Sequence, residues 1–546
     1  MNEGRPFPDA LACTSDLEQI DFANEWIFSI FRTRPHRHLR RNVLKFHIID
    51  INASFALTLR AGSTCKDADA WSWVPHRRNF IMLNHSLPNM KGIMLATLAA
   101  SGIAYGDMAL AGDVPAGGSR TIDGQTLPEN WTVQVDGTLN VVNGSRIGSV
   151  DATHAYINLY ASSVLAPTGQ FGIQASNGSR VDIRDATVSA TASGSRGVVL
   201  AGTGSGVGAG EASLATINNS TIEGAAYGAS LSANSVLDVA GSQVTGTAAN
   251  GMGIGLFSGT ATFRDGSVVT GQANGAQIMT LTVPGVPDGG RTLILDNATL
   301  TGVTGSGVLV QRRNASSTST ATISLRNGAS VSGGNGTAFE LGLGAQATID
   351  VDASHVLGDL KVATGSSATM ALRNGSTMQG VMTGDIAATV ADTATTWNVT
   401  GDSDVSSLTL NGGAINFAAR GEDHSNLLVR GDFAGTGGSV TLNTVMNEGG
   451  PLSAQATDRL LVQGNVTTTG TTYINIAASG AGANTDTNGN DRPDANEGIS
   501  LVQVGGHFAK RCVRPGPWFG QLRWLQARPD RLCARGERSL AERAAG

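Results

Sequence analysis

Several clusters of oxygen-bearing side chains in this 546-residue chain have spacings that could support chemistry. In Asp486-x-Asn488-x-Asn490-Asp491-x-x-Asp494-x-x-Glu497, the residues Asp486, Asn488, Asn490, Asp494 and Glu497 fall at positions 1, 3, 5, 9 and 12 of a calcium-type loop. Position 6 of such a loop needs glycine and is Asp491 here, and no helical pattern flanks the segment. An acidic surface turn accounts for the same residues, and calcium is the one cofactor the sequence suggests. Arg430-Gly431-Asp432 spells the integrin-binding tripeptide. That use requires a projecting loop, whereas here the tripeptide closes an apolar strand, NLLVRGDF. Asp350 and Asp352 lie two residues apart in an alternating segment and so share one face of a strand. Asp182 and Asp185, across a turn, form a similar pair. Carboxylates paired in this way serve polysaccharide-cleaving enzymes. Gly401-Asp402-Ser403-Asp404 lacks the glycine after serine that a nucleophile turn needs, and His154, His355 and His424 are isolated in the sequence. Turn and solvent-face roles already explain these aspartates, so the chain reads as a non-enzyme.

The elements that would position such groups come from a repeated phrase. LDVAGSQVTG runs from Leu237 to Gly246 and TFRDGSVVTG from Thr262 to Gly271. LILDNATLTG ends at Gly302, SLRNGASVSG at Gly333, IDVDASHVLG at Gly358 and ALRNGSTMQG at Gly380. Looser copies begin at Val181 and Thr216. Each copy alternates apolar and polar residues, turns at an Asp/Asn-Gly or Asp/Asn-Ala step, alternates again and closes on glycine. Such a unit has one buried strand face and a tight turn, and it hides its apolar side only by stacking on its neighbours. Steps of 22 to 31 residues between closing glycines predict complete coils with connections of unequal length. The fold expected is all-β: a right-handed single-stranded parallel β-helix, of the pectin lyase-like kind, about a dozen coils and about 60 Å long at ~4.8 Å per coil.

Charge is unevenly placed. The whole chain carries −6, but residues 82–506 hold 17 Lys and Arg against 31 Asp and Glu. An acidic body argues against nucleic acid as a partner. All four cysteines, Cys13, Cys65, Cys512 and Cys533, lie outside that body. A chain that must cross an oxidising compartment unfolded needs to be free of disulfides there.

Both ends differ from the middle. Residues 90–111 read as a signal peptide: Lys91, an apolar stretch from Ile93 to Tyr105, and Ala109-Leu110-Ala111 as the cleavage site. Residues 1–89 then read as an upstream stretch wrongly included in the reading frame, with the true start at Met90 or Met82, or as a disordered N-terminal extension. After Gly506 the alternation stops and residues 507–546 become basic and rich in Arg, Pro and Trp, as a shifted reading frame would make them. No apolar run long enough for a membrane helix lies outside 90–111.

Four blocks in order carry a resemblance: TWNVTGDSDVSSLTLNGGAINF at 396–417, NLLVRGDFAGTGGSVTLNTVM at 426–446, TDRLLVQGNVTTTGTTYINI at 457–476 and NEGISLVQVGG at 496–506. This stretch resembles the C-terminal part of pertactin-like autotransporter passengers. The resemblance implies a β-helical passenger over 112–395, and a β cap acting as autochaperone over 396–506 that includes a strand-end glycine at Gly431. It further implies type V secretion from a Gram-negative cell with help from outer-membrane assembly machinery, and a translocator barrel, which does not follow residue 506 in this chain. Trp397, Phe417, Phe433 and Tyr473 are the expected folding nucleus, because they add aromatic bulk where the solenoid needs an end cap. The function expected is that of an exported adhesin or virulence-type structural protein. Its partners would be a host surface, a glycan or other bacterial cells. Its location would be the cell surface, the outer membrane or the medium, or the periplasm without a barrel. The alternatives are a secreted polysaccharide-degrading enzyme or a truncated product without function.

Overall fold

The computed structural model describes residues 112–507 apart from 126–128, 282, 316, 484, 487 and 490–496, together with backbone strands at 44–46, 70–76, 79–85 and 514–515. The chain divides into two units, Met1–Asp107 and Met108–Gly546. In the first, strands Leu44–Phe46, Ala70–His76 and Asn79–His85 form an antiparallel sheet in which the third lies between the other two. The signal-peptide segment 90–111 lies outside the described residues except for its boundary neighbours, as does the tail beyond His507 apart from Arg514–Pro515.

The second unit is a parallel β-helix with three faces. Face I begins at Ser119–Asp123 and passes through Thr138–Val142, Tyr156–Tyr160 and Arg180–Arg184 in parallel register. It continues without a break to Val466–Thr468. Fifteen rungs on this face make a shaft of about 70 Å at ~4.8 Å per rung, a little longer than the repeat alone predicts. Face II carries Gln243–Gly246, Val268–Gly271 and Thr299–Gly302. Face III carries strands such as Arg196–Ala201, Tyr227–Leu231 and Met252–Leu256. The repeated phrase is therefore face I, a corner and face II. The sequence reading did not resolve the third strand of each coil. Alternate residues point inward, so one buried row on face I reads Leu139, Ile157, Val181, Ala215, Leu237, Ala261 and Leu293. No helix among the described residues is long and apolar enough to cross a membrane, which leaves β-barrels unaddressed.

Three devices close the coils in the middle of the shaft. The Asp/Asn of the phrase takes the left-handed backbone that these short side chains tolerate, as at Asp185 (φ 49°) and Asn297 (φ 51°). The serine after it turns inward and is buried. Ser220 N–H donates to Ser242 Oγ at 2.9 Å, and Ser354 N–H to Ser376 Oγ at 3.1 Å. Ser376 Oγ–H in turn donates to Arg373 O at 2.6 Å. A hydroxyl ladder thus satisfies corner amides that no strand can reach. The third device is a glycine column. Gly224, Gly246, Gly271, Gly302 and Gly333 stand in register at the end of face II. A Cβ on Gly271 would lie 1.8 Å from Asn274 O, because the chain doubles back immediately towards face III.

Extra residues collect at the corner from face III to face I, as segments 202–213, 279–290 and 311–318. They fold back on the shaft and on each other instead of projecting freely. Asn177 holds the first through Thr203 (N–H to Oδ1, 2.7 Å), and Asn234 holds the second through Gly289 N–H at 2.8 Å. A Cβ on Gly204 would meet Pro284 O at 2.0 Å, so the two loops are in contact. Buried Arg291 anchors the second loop by donating to Phe257 O at 2.9 Å and to Asp288 at 2.6 Å.

Two outcomes follow. Gly271→Ala lowers the thermal midpoint of the full chain well below that of Gly266→Ala. The latter costs only left-handed strain, about 1 kcal/mol, since nothing lies within 4 Å of its Cβ position. Equal midpoints would remove the close-approach argument. The hydrogen bond from Arg291 holds Asp288 below the ordinary carboxylate range. Its contribution is therefore complete above the unfolded value of about 3.9 and is lost as pH falls through the lower folded value. Pepsin nicking within 281–290, compared with Asp288→Asn at each pH, should be slower in the wild type at about pH 5. The two should converge as pH falls below the lowered folded value.

Candidate functional site

The glycine column ends abruptly. Gln379 pairs with Asn398, and the following residues are Gly380 in one coil and Val399 in the next. Val399 pairs with Phe417, and Leu442 with Ile476, so the same position now carries bulky apolar side chains. Trp397 enters the neighbouring inward row, after Met378 and before Ile415. It is fully buried and its Nε1–H donates to Gly380 O at 3.0 Å, filling space beside the last glycine of the column. Phe417 and Phe433 are buried. Tyr473 is 43% exposed, because its strand turns Ile474 inward at that rung. Faces I and II also merge here into long strands that bend at the corner, Ser407–Phe417 and Phe433–Val445.

A buried carboxylate ties this end together. Asp458, 1% exposed, accepts from Ser425 N–H at 2.7 Å and from Asn443 through both its main-chain N–H and its Nδ2, each at 2.8 Å. Asn443 Nδ2 also donates to Phe417 O at 3.0 Å. Amide donors aimed at one carboxylate are charge-assisted and stronger than neutral pairs. The half-buried Arg459 donates to Leu452 O at 3.1 Å and Gln455 O at 3.2 Å, and burial lowers its pKa. Gln455 in turn accepts from Ser500 N–H at 2.8 Å. The segment 446–458, with a short 3₁₀ turn at Leu452–Ala454, is thereby fastened to the last coils.

The other sequence-derived candidates are dispersed. Arg430 Nε lies 3.0 Å from Asp404 Oδ1, and Arg430 also donates to Gly384 O. Asp432 accepts from Asn465 N–H at 2.7 Å, and a Cβ on Gly431 would meet Ser406 O at 2.5 Å. The tripeptide thus forms a tight corner whose charged groups bind neighbouring coils. Of the calcium-type set, Asn490 and Asp494 lie outside the described residues. Asp486 accepts from Gly489 N–H at 2.7 Å, as a turn carboxylate does, Asn488 sits in that turn and Glu497 is buried. Asp350 and Asp352 share a face and both pair with Arg373, while Asp182 pairs with Arg184 at 2.7 Å. Ser403 is buried and its hydroxyl accepts from Met382 N–H. His424 is mostly buried, 3.7 Å from Asp458. His154 lies at the foot of the first loop, 3.5 Å from Glu211, and His355 hydrogen-bonds Thr377 at 2.8 Å.

The stretch that holds the buried aspartate and the bent strands also matches a known family: residues 403–512 match the one described as Autochaperone Domain Type 1. The chain carries an autotransporter autochaperone domain. No curated protein matches the chain. The autochaperone domain starts four residues after Val399, where bulky side chains have replaced the column of glycine. The ordered blocks read from the sequence lie almost entirely within it. It is the C-terminal region of an autotransporter passenger, and it implies export of the chain. Sequence reasoning quoted Asp458 only as the first letter of an Asp-Arg-Leu strand. The signal available was an aspartate just before a fully apolar strand, with no turn residue beside it to explain it.

Trp397→Ala should slow refolding of the chain after urea dilution more than Val181→Ala does, because it removes a large inward side chain beside the cap. Asp458→Ala leaves three amide hydrogens without an acceptor, at about 1–3 kcal/mol each when buried. It should expose 446–458 to protease before the shaft melts. Refolding rates equal for Trp397→Ala and Val181→Ala, or an unchanged cleavage pattern for Asp458→Ala, would refute the cap assignment.

Proposed function

We propose that the chain acts by presentation, as a β-helical adhesin-type passenger whose C-terminal domain folds first and templates the coils upstream. The family match at 403–512 supports the passenger and folding parts of this reading. Two structural features support it. The shaft is continuous from its first rung to the matched domain, so each coil offers the next a complete template. The variable material sits at one corner, where segments 202–213 and 279–290 make a joint relief on an otherwise regular rod. The partners proposed are surfaces: host cells, glycans or other bacterial cells. The paired carboxylates that an enzyme on polysaccharide would need are engaged by arginines, which favours presentation over cleavage.

Beads coated with the purified chain should capture cultured epithelial cells or Gram-negative cells several-fold above albumin-coated beads. Replacing 202–213 with a short Gly-Ser connection should reduce that capture. Capture no better than albumin on every surface tried would overturn adhesion. A pulse-labelled refolding experiment in which amides of 119–296 gain protection before those of 403–507 would overturn the folding order.

A further inference from the structure

The first rungs of face I carry an outer surface unlike the rest of the rod. The chain has five tyrosines, and two of them, Tyr156 and Tyr160, lie in one five-residue strand. Tyr156 points outward and is 45% exposed, while Ile157 and Leu159 point inward. It stands in register with Thr138 below and Arg180 above. Arg180 is exposed and makes no ion pair among the described residues. Its neighbour Arg184, by contrast, is bound to Asp182 and stacks over Tyr160 at 5.5 Å. The adjacent outward row reads Asn140, Asn158, Asp182. Its members are already linked: Asn158 Nδ2 donates to Asn140 Oδ1 at 2.8 Å and Tyr160 O–H to Asp182 at 2.7 Å.

We propose that this surface, centred on Tyr156 and Arg180, binds a carboxylate-bearing saccharide. A flat, exposed phenol ring covers the C–H face of a pyranose, since it has a large apolar body and a polar rim. A guanidinium without an ion-pair partner among the described residues takes a carboxylate through two parallel N–H donors. The fixed amides of Asn140 and Asn158 and the carboxylate of Asp182 offer donors and acceptors to vicinal hydroxyls at no further ordering cost. Rungs ~4.8 Å apart suit a glycan chain laid along the rod, one ring against each rung. The body around the patch is strongly acidic, so a free arginine beside an exposed aromatic ring marks a place for an anionic ligand. This deepens the presentation reading by naming the class of surface bound.

The full chain should be retarded in native gels containing alginate and unaffected by neutral dextran. Tyr156→Ala and Arg180→Ala should each weaken the dissociation constant for alginate about tenfold or more, equivalent to ~1.4 kcal/mol. Tyr156→Phe should bind as the wild type does. Arg326→Ala, on the same face but paired with Asp296, should leave binding unchanged. Both key side chains are exposed, so thermal midpoints should stay at the wild-type value and confirm folding. Absence of retardation by alginate overturns the proposal, as does equal retardation of Tyr156→Ala. Dextran sulfate retarding wild type and Tyr156→Ala alike, with alginate inactive, would reduce the patch to charge adsorption. A chain that ignores alginate yet coats beads that capture cells would remove the saccharide site and leave presentation intact.

Discussion

Each coil must return to its starting point displaced by a single rung, and the rest of the structure depends on that closure. Three corners must be turned within 18 to 34 residues without leaving a buried amide unpaired. At the first corner, left-handed Asp/Asn and inward serine solve this together: the backbone reverses, and the hydroxyl of the next coil accepts the stranded N–H. At the second, main chain passes so near main chain that only hydrogen fits, hence the column from Gly224 to Gly333. Because both devices act between neighbouring coils, each repeat is stable only in the presence of the next.

The same constraint explains why the far end is built differently. A stack of parallel rungs leaves a row of unpaired main-chain groups at its last coil, which invites aggregation. Over the autochaperone domain the glycine column gives way to Val399, Phe417, Leu442 and Ile476, the strands lengthen around the corner, and Asp458 draws amides from separate coils onto one carboxylate. Bulk and charge-assisted hydrogen bonds are therefore concentrated where there is no further coil to lend support.

Much of this was legible in the sequence, for a physical reason. The Asp/Asn turn and the alternation on either side of it are local, and local chemistry leaves a local trace. The matching blocks of the cap are equally visible. The third face was missed because its strands follow short, unpunctuated corners, although Gly197-Val-Val-Leu, Gly228-Ala-Ser-Leu and Gly253-Ile-Gly-Leu share a pattern. The closing glycine was visible as a letter, but its reason is non-local: the carbonyl it avoids belongs to the segment after it, whose path only the folded coil defines. Tyr473 lies outside because the alternation of its strand turns Ile474 inward, a parity that aromatic bulk alone does not reveal. Asp458 was hidden because its partners lie 15 and 33 residues away.

The corner between faces III and I has a further consequence. Segments of a dozen residues enter there while the registers of face I before and after them run on unchanged. Upstream of the autochaperone domain the other two corners, which hold the hydroxyl ladder and the glycine column, vary by only a few residues. Upstream of the autochaperone domain the rod thus separates what must be conserved in geometry from what is free to diversify, and it confines diversification to one edge. A lineage of such chains can change what it shows its surroundings, by lengthening or exchanging segments along that edge, without renegotiating the fold.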